Sequence, residues 1–497
     1  PAGAPAAAPA EGAAAGPDKV VIWSPGDNGP VADWNTDPIL AEVEKATNTD
    51  IEMVKIGWDV YEDQVNAAIA SGELPDIIGS IDHNNRTLLS QFVRDGVIAP
   101  FEGDVAAAAP NVLAQYEQNP SLAEIKMDGK IYFQPISWGV GNEPNMGLIH
   151  VRQDLLDKYG MEPPDTFEEY FAYLQACKDD GSTGVILSAN EGVGSAINAF
   201  AGASGLPMRG WVKNEDGSFG FFAVQPQMKD ALLLFRRMVA DGLVDPASWE
   251  SNGDQARAQY VTGKACSFIF NGGGHIGRIQ NDLTLANPEY KEWLLPALDA
   301  GAGARGYTTE PMFWGVSMIG NMEGNNPVAA ARVMNYLTSP EGYELTAIGV
   351  EGIDFQGEGD AIELLPARAE RGFPTEAGDT GAHPLASTVV SWVPSEWQEF
   401  SLLYGKDQEF KDWYRAMRAN QAMYQIPSYG LDTTSPLWTD FVSTSSELIT
   451  RAFTDIVRAG SEEEASAMFD QFVSDWNSQG GADAAVEMSG VLAEMYQ

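Results

Sequence analysis

Basic residues are scarce in this chain: 29 Lys and Arg stand against 71 Asp and Glu, a formal net charge of −42 over 497 residues. Such a field repels a phosphate backbone over any extended contact, so nucleic acid is excluded as a partner, and a strongly anionic ligand is disfavoured without a local basic cluster. Histidine is rarer still, with four in all. There is no HExxH and no cysteine–histidine spacing suited to a metal, and GxSxG and P-loop patterns are also missing, which leaves metal, serine-hydrolase and nucleotide chemistry without their usual residues. No apolar run of about 18 residues occurs, which removes a membrane-spanning helix. Of the two cysteines, Cys177 falls near the end of a predicted helix and Cys266 in a predicted strand. Both have apolar neighbours, where a buried thiol acts as a small hydrophobe; a disulfide between them is the alternative.

What is present begins with residues 1–17, almost wholly Ala, Pro and Gly. They cannot form a core and read as a disordered tether with a span of roughly 20 to 25 Å. The chain begins with Pro, as expected after removal of a leader. The remainder exceeds the size at which one core stops growing, so two domains are expected. Val20–Trp23 reads as a buried strand, Pro38–Thr47 as a helix and Ile51–Ile56 as a second strand, a βαβ unit with parallel pairing. A helix over Tyr61–Ser71 and a strand over Asp76–Asp82 follow. In open parallel sheets ligands bind beyond the carboxyl ends of the strands. The loops at Ser24–Asn28 and Asp82–Asn85 therefore form one expected wall of a cleft, with Asp27, Asn28, Asp82, His83 and Asn84 as contacts.

The alternation continues further on. Phe167, Tyr170, Phe171 and Leu174 follow helical spacing behind a Thr166/Glu169 start box, Gly184–Ala189 is strand-like, and Met228, Ala231, Leu232, Phe235 and Met238 mark another amphipathic helix before the strand Cys266–Phe270. Pro327–Leu337 reads as helical. Asp354–Ser391 lacks periodicity and receives no assignment. Ala465, Met468, Phe469, Phe472, Val473 and Trp476 give a strong helix signal that ends at Gly480-Gly481.

The segment Asp128–Tyr170, DGKIYFQPISWGVGNEPNMGLIHVRQDLLDKYGMEPPDTFEEY, contains a β-rich run, a Gly/Asn/Pro loop, an apolar run and two helix starts. It resembles the lobe-to-lobe crossover of extracellular solute-binding proteins of bacterial ABC importers, through Arg152, Asp154, Leu156, Lys158, Gly160, Pro164, Thr166, Phe167 and Glu169. Similar likenesses occur at GELPDII (Gly72–Ile78), at GLVDPASW (Gly242–Trp249) with GKACSFIFNGG (Gly263–Gly273), and at SPEGYELTAIGVEGIDF (Ser339–Phe355). YTTEPMFWGVSMIG (Tyr307–Gly320) resembles the return crossover. The resemblance implies an α/β, two-lobe periplasmic-binding-protein-like fold of type II, each lobe a mostly parallel sheet flanked by helices and joined by hinge crossovers. Residues 18–140 and 316–380 are expected in lobe 1, and 141–315 and 381–497 in lobe 2. It further implies binding of an extracellular carbohydrate, without catalysis, and its delivery to an ABC permease; with a net charge that disfavours an anion, the expected ligand is a neutral oligosaccharide. The protein would be an extracytoplasmic monomer, joined to the membrane only through an N-terminal lipid anchor. Some members carry a calcium loop where this chain has LQACKDDGSTGVILS; only Asp179-Asp180-Gly181 remain of such a loop, so neither calcium nor any other cofactor is expected.

Sugars present apolar C–H faces that lie flat on aromatic rings, and hydroxyls that need polar partners. Among 13 Trp, those in Gly/Pro/Asn loops are the candidates: Trp138, Trp211, Trp314 and Trp392, with Asn142 and Glu310 in the crossovers. Gly272-Gly273-Gly274-His275-Ile276-Gly277 matches G-x-G-x-x-G after a strand, but within a lobe already under way rather than in its first βαβ unit. It reads instead as a loop that brings backbone close to a ligand, with Asn271 and His275 as contacts. Two rival functions share this composition: a secreted glycoside hydrolase or polysaccharide lyase, distinguished by product formation, and a peptide-binding receptor of the same architecture. With 71 acidic residues, carboxylate pairs are unavoidable and identify no catalytic residue.

Overall fold

The computed structural model describes residues 16–25, 34–57, 60–83, 85–137, 144, 146–188, 193–272, 274–301, 303–309, 313–358, 362–370, 385, 389, 403, 406–431, 433 and 435–496. Nine strands form its two main sheets: β1 Asp18–Pro25, β2 Thr49–Ile56, β3 Ile77–Asp82, β4 Phe133–Ser137, β5 Leu148–Arg152, β6 Val185–Leu187, β7 Ser267–Phe270, β8 Glu292–Leu294 and β9 Phe313–Ile319. The first sheet has the order β2-β1-β3-β9-β4 and the second β8-β5-β7-β6. The βαβ reading holds: β1 runs parallel to β2 from Asp18↔Thr49 to Pro25↔Ile56, and parallel to β3 at Ile22↔Ile77. The helices Pro38–Thr47 and Tyr61–Ser71 span the residues that periodicity indicated. Asp37 caps the first of them by accepting from Ile39 N at 2.8 Å, and the Thr166/Glu169 box starts the helix Phe167–Asp179.

The sheets are mixed rather than mostly parallel, and the departure has a geometric cause. β9 is antiparallel to both of its neighbours, β3 and β4; β5 is antiparallel to both β7 and β8. These are the strands by which the chain enters each sheet after crossing from the other. When both sheets turn their carboxyl edges to one crevice, a chain crossing it arrives at a carboxyl edge and must run against the strands already there.

Two groups of buried side chains accompany the two sheets. Val20, Ile22 and Ile77 pack with Ala329, Val333 and Leu337 on one face of the first sheet, while Ile78, Ile81, Phe133, Phe313 and Val316 fill the other. Ile149, Val151, Phe167, Tyr170 and Phe235 join Phe469, Phe472, Trp476 and Met488 of the C-terminal helices in the second. The boundaries differ from the sequence reading in two places. β9 belongs whole to the first sheet, and Leu385 and Val389 lie in the first core, where Ser317 Oγ donates to Val389 O at 2.5 Å. Leu403 is already in the second core.

The cysteines, read as buried thiols, form a disulfide. The helix Phe167–Asp179 lies against the second sheet, so its last turn brings Cys177 beside Cys266, one residue before β7, with Cα atoms 6.4 Å apart. At the C-terminus the helix Glu462–Trp476 is interrupted where the two glycines indicated, with Gly480 at φ 118°, and a further helix, Ala482–Met495, follows. No described helix is long and apolar enough to cross a membrane.

Candidate functional site

At the carboxyl edge of the first sheet, His83 follows β3 with 1% of its surface exposed, its ring edge-on to Phe313 at 4.9 Å between centroids. Asp82 beside it is exposed, with Oδ1 3.7 Å from His83 Nδ1. Phe313 pairs with Ser137 and Gly315 pairs with Ile136 of β4 and with Asp82 of β3, which leaves Trp314 as the extra residue of a bulge. Bulges end regular pairing and bend a strand, and they gather near functional sites. The expected contact residues Asp82, His83 and Trp314 therefore take backbone positions along one edge of the sheet.

The second sheet ends at Phe270, Asn271 and Gly272. His275, in the first turn of the helix Gly274–Ala286, is partly buried with its ring edge-on to Phe270 at 5.2 Å. Its Nδ1 is buried with no hydrogen-bonding partner among the described residues. Burial, followed by the charges of Arg278 and Arg257, lowers its pKa from the usual 6.5 to about 4, against a weaker opposing pull from Asp254. The imidazole is thus neutral near pH 7, with a polar nitrogen that a ligand hydroxyl or a water can satisfy.

Asn271 is held from beneath. His150 Nε2 lies 3.1 Å from Asn271 O, and His150 Nδ1 meets Glu292 Oε1 in a fully buried pair. Burial raises the Glu292 pKa, with His150 opposing. Gly272 is packed closely: a Cβ there would come within 2.5 Å of Leu148 Cδ1 and 2.7 Å of Gln421 Oε1. Gln421, on the helix Gln408–Ala422, donates in turn to Pro144 O of the first crossover.

Both crossovers are fastened by one residue that the sequence reading did not single out. Asn198, fully buried in the helix Ile197–Ala203, donates from Nδ2 to Met146 O at 2.6 Å and accepts at Oδ1 from Thr308 N at 2.9 Å and Thr308 Oγ1 at 2.6 Å. Gly147 reinforces the arrangement, since a Cβ at its φ of 67° would lie 1.9 Å from Ser195 O. Phe270 and Phe313 were also missed; their place just before or after a Gly- or Pro-containing loop was the available signal. Asn198, in an ordinary apolar helix, offered none.

One expectation is corrected. Trp211 is 1% exposed and lies in the second core, in contact with Phe221 and Trp438, each at 5.2 Å between ring centroids. The ribbon Trp211–Lys213 with Phe219–Phe221 turns the ring toward the C-terminal helices, because an indole this large is most stable where aromatic neighbours cover it. Asp27, Asn28, Asn84, Trp138, Asn142, Glu310 and Trp392 lie outside the described residues.

Residues 28–344 match the family model of the bacterial extracellular solute-binding proteins. The chain is similar to the polygalacturonan/rhamnogalacturonan-binding protein YtcQ of Bacillus subtilis (strain 168), with 25% identity over 246 residues, 47% of either chain. It is also similar to the fructooligosaccharide ABC transporter substrate-binding protein FusA of Streptococcus pneumoniae serotype 4 (strain ATCC BAA-334 / TIGR4), with 28% identity over 236 residues, 44% of this chain and 43% of that one. The chain thus spans about half the length of these curated relatives. Among solved structures, the alginate-binding protein AlgQ2 without calcium ion superposes with a TM-score of 0.72 at 16% identity, covering 96% of this chain and 98% of that one, a likeness of fold. With two mixed sheets that the chain enters in turn and a family match over residues 28–344, the chain belongs to the bacterial extracellular solute-binding protein family.

Proposed function

We propose that the protein captures an extracellular carbohydrate, a neutral oligosaccharide, in the crevice between its lobes and delivers it unaltered to the permease of an ABC importer. The observation that carries the reading is the pair of opposed strands, β5 and β9, which enter their sheets from the crevice side and turn both carboxyl edges toward it. An aromatic ring beside a polar group is present on each wall, Phe313 with His83 and Phe270 with His275. YtcQ and FusA are both named for binding polysaccharide or oligosaccharide. Neutrality of the sugar is supported by the net charge of −42 and by the exposed acid Asp82 at the crevice edge, which repels a uronate; of the guanidinium groups whose charge reaches His275, Arg257 is paired with Asp254 and Asp282.

Transport requires that the closed form bind the sugar better than the open form, since a ligand shifts an equilibrium only by its preference between states. The protein acts outside the cytoplasm as a monomer, held to the membrane by a lipid anchor. It needs no calcium: Asp180, in the segment corresponding to the family's calcium loop, is engaged by Lys158 and Tyr159. Melting temperature measured against neutral and acidic oligosaccharides tests the reading, because a ligand at a hundred times its Kd stabilises by about 2.7 kcal/mol. A rise with neutral fragments, unchanged by EDTA and with the sugar recovered intact by chromatography, is the expected result. Shortened sugars would establish a hydrolase or lyase, and a rise only with uronates would overturn neutrality.

A further inference from the structure

The second lobe contains a cavity of about 540 Å³ that the crevice does not use. It opens beside the edge strand β8, and its walls include Trp293, Phe410, Trp413, Gln153, Asn281 and Lys291. Its distance from the crevice follows from the elements that frame it. β5 starts at the crevice with Leu148, and Gln153 lies five residues on, about 16 Å along an extended chain. The helix Gln408–Ala422 has Gln421 at the crevice end and Phe410 at the cavity end, again about 16 Å apart.

The edge strand itself is closed to a peptide. Its outward N–H and C=O groups are all taken by side chains: Glu292 N–H donates to Gln280 Oε1 at 2.8 Å, and Glu292 O accepts from Trp413 Nε1 at 3.2 Å. Leu294 N–H reaches Met417 Sδ at 3.1 Å, and Leu294 O accepts from Asn420 Nδ2 at 2.9 Å. No backbone ladder is left for an added strand. What the cavity offers instead is ring surface and polar side chains. Trp293, Phe410 and Trp413 are each half-buried, with Phe410 and Trp413 at 5.3 Å between centroids. Aromatic faces for C–H surfaces beside the polar side chains of Gln153, Asn281, Thr284 and Lys291 suit a sugar better than a lipid, whose tail would strip water from those groups without replacing its hydrogen bonds. The volume falls within the range of small-ligand sites.

We propose that this cavity is a second saccharide-binding site, separate from the crevice, that takes one or two pyranose rings. The choice of sugar as ligand class rests on the carbohydrate reading of the crevice. The test uses the full chain labelled with 5-fluorotryptophan and followed by 19F NMR, with the Trp293 and Trp413 signals assigned from W293F and W413F. The probes are methyl α- and β-glucopyranoside, galactopyranoside and mannopyranoside, together with cellobiose and maltose. Saturable shifts of both signals at Kd on the order of millimolar are expected. Thr284→Tyr, a substitution at the exposed rim that leaves the core untouched, is expected to weaken the response by about tenfold, as blocking an aromatic anchor does. Its melting temperature and any crevice binding should match those of the parent chain. If both signals stay fixed up to the solubility limit of every probe, or shift equally in T284Y, the second site is overturned. Oligosaccharide stabilisation of the parent chain, read separately, keeps that failure distinct from failure of the crevice reading.

Discussion

At Asn198 one side chain serves both strands of the hinge, donating to Met146 and accepting twice from Thr308. Replacing it with Leu leaves a buried carbonyl and a buried N–H unpaired, and urea denaturation is expected to register a loss of about 3 kcal/mol. Asn198→Asp keeps the acceptor but sets a buried carboxylate oxygen against Met146 O, and should lose at least as much. His275 gives a prediction in pH. Its folded pKa of about 4 lies below the usual 6.5, so between those values the unfolded chain binds the extra proton and the folded chain does not. Stability from this group is therefore intact above pH 6.5 and falls as pH drops toward 4, by at most about 3 kcal/mol given the partial exposure of the ring. The difference in unfolding free energy between the parent chain and His275→Gln, measured from pH 7 down to pH 4, should narrow or change sign as this penalty builds. A difference that does not vary with pH would show that the ring is solvated. Residue roles were the least legible part of the sequence. His83 and His275 stood out through rarity and loop position, whereas Asn198 looks like any helix residue until two distant segments fold onto it. Trp211 shows the reverse: a tryptophan beside Gly210 looked loop-borne, and tertiary packing buried it.

At the scale of elements, periodicity located the helices well because an amphipathic stripe and its cap are local properties. Pro38–Thr47 and Tyr61–Ser71 are the cases in point. Strand direction was different. Nothing within LIHVR or FWGVSMI distinguishes a parallel from an antiparallel strand; β5 and β9 run against their sheets only because of where the chain enters. The disulfide belongs to this scale too, joining a helix to the residue just before β7, 89 residues away in sequence. By the chain-entropy relation its removal in the Cys177→Ala, Cys266→Ala double variant costs about 4 to 5 kcal/mol, to be checked by denaturant unfolding with and without reductant. Reductant should destabilise the parent chain and leave the double variant unchanged.

For the molecule as a whole, the question is what joins the halves besides the crossovers. Tyr496, just past the last helix, donates its hydroxyl proton to Glu124 Oε1 of the first lobe, while its ring packs on Phe219 and Tyr429 of the second. Tyr496→Phe keeps the ring and removes that bond. Losing about 1 kcal/mol of interlobe contact should shift the unliganded chain toward open forms, seen as a larger radius of gyration by small-angle X-ray scattering, with no change in denaturant midpoint beyond a few tenths of a molar. An unchanged radius would mean that the contact does not hold the lobes.

The amino-acid sequence alone determined the α/β alternation, the lack of a long apolar run and the family, because composition, periodicity and short motifs are carried by neighbouring residues. Tertiary structure decided which way β5 and β9 run, that Cys177 meets Cys266, that Trp211 is core and that Asn198 clasps the hinge. Each of these depends on two segments far apart in the chain reaching the same point in space, and no local pattern encodes that distance.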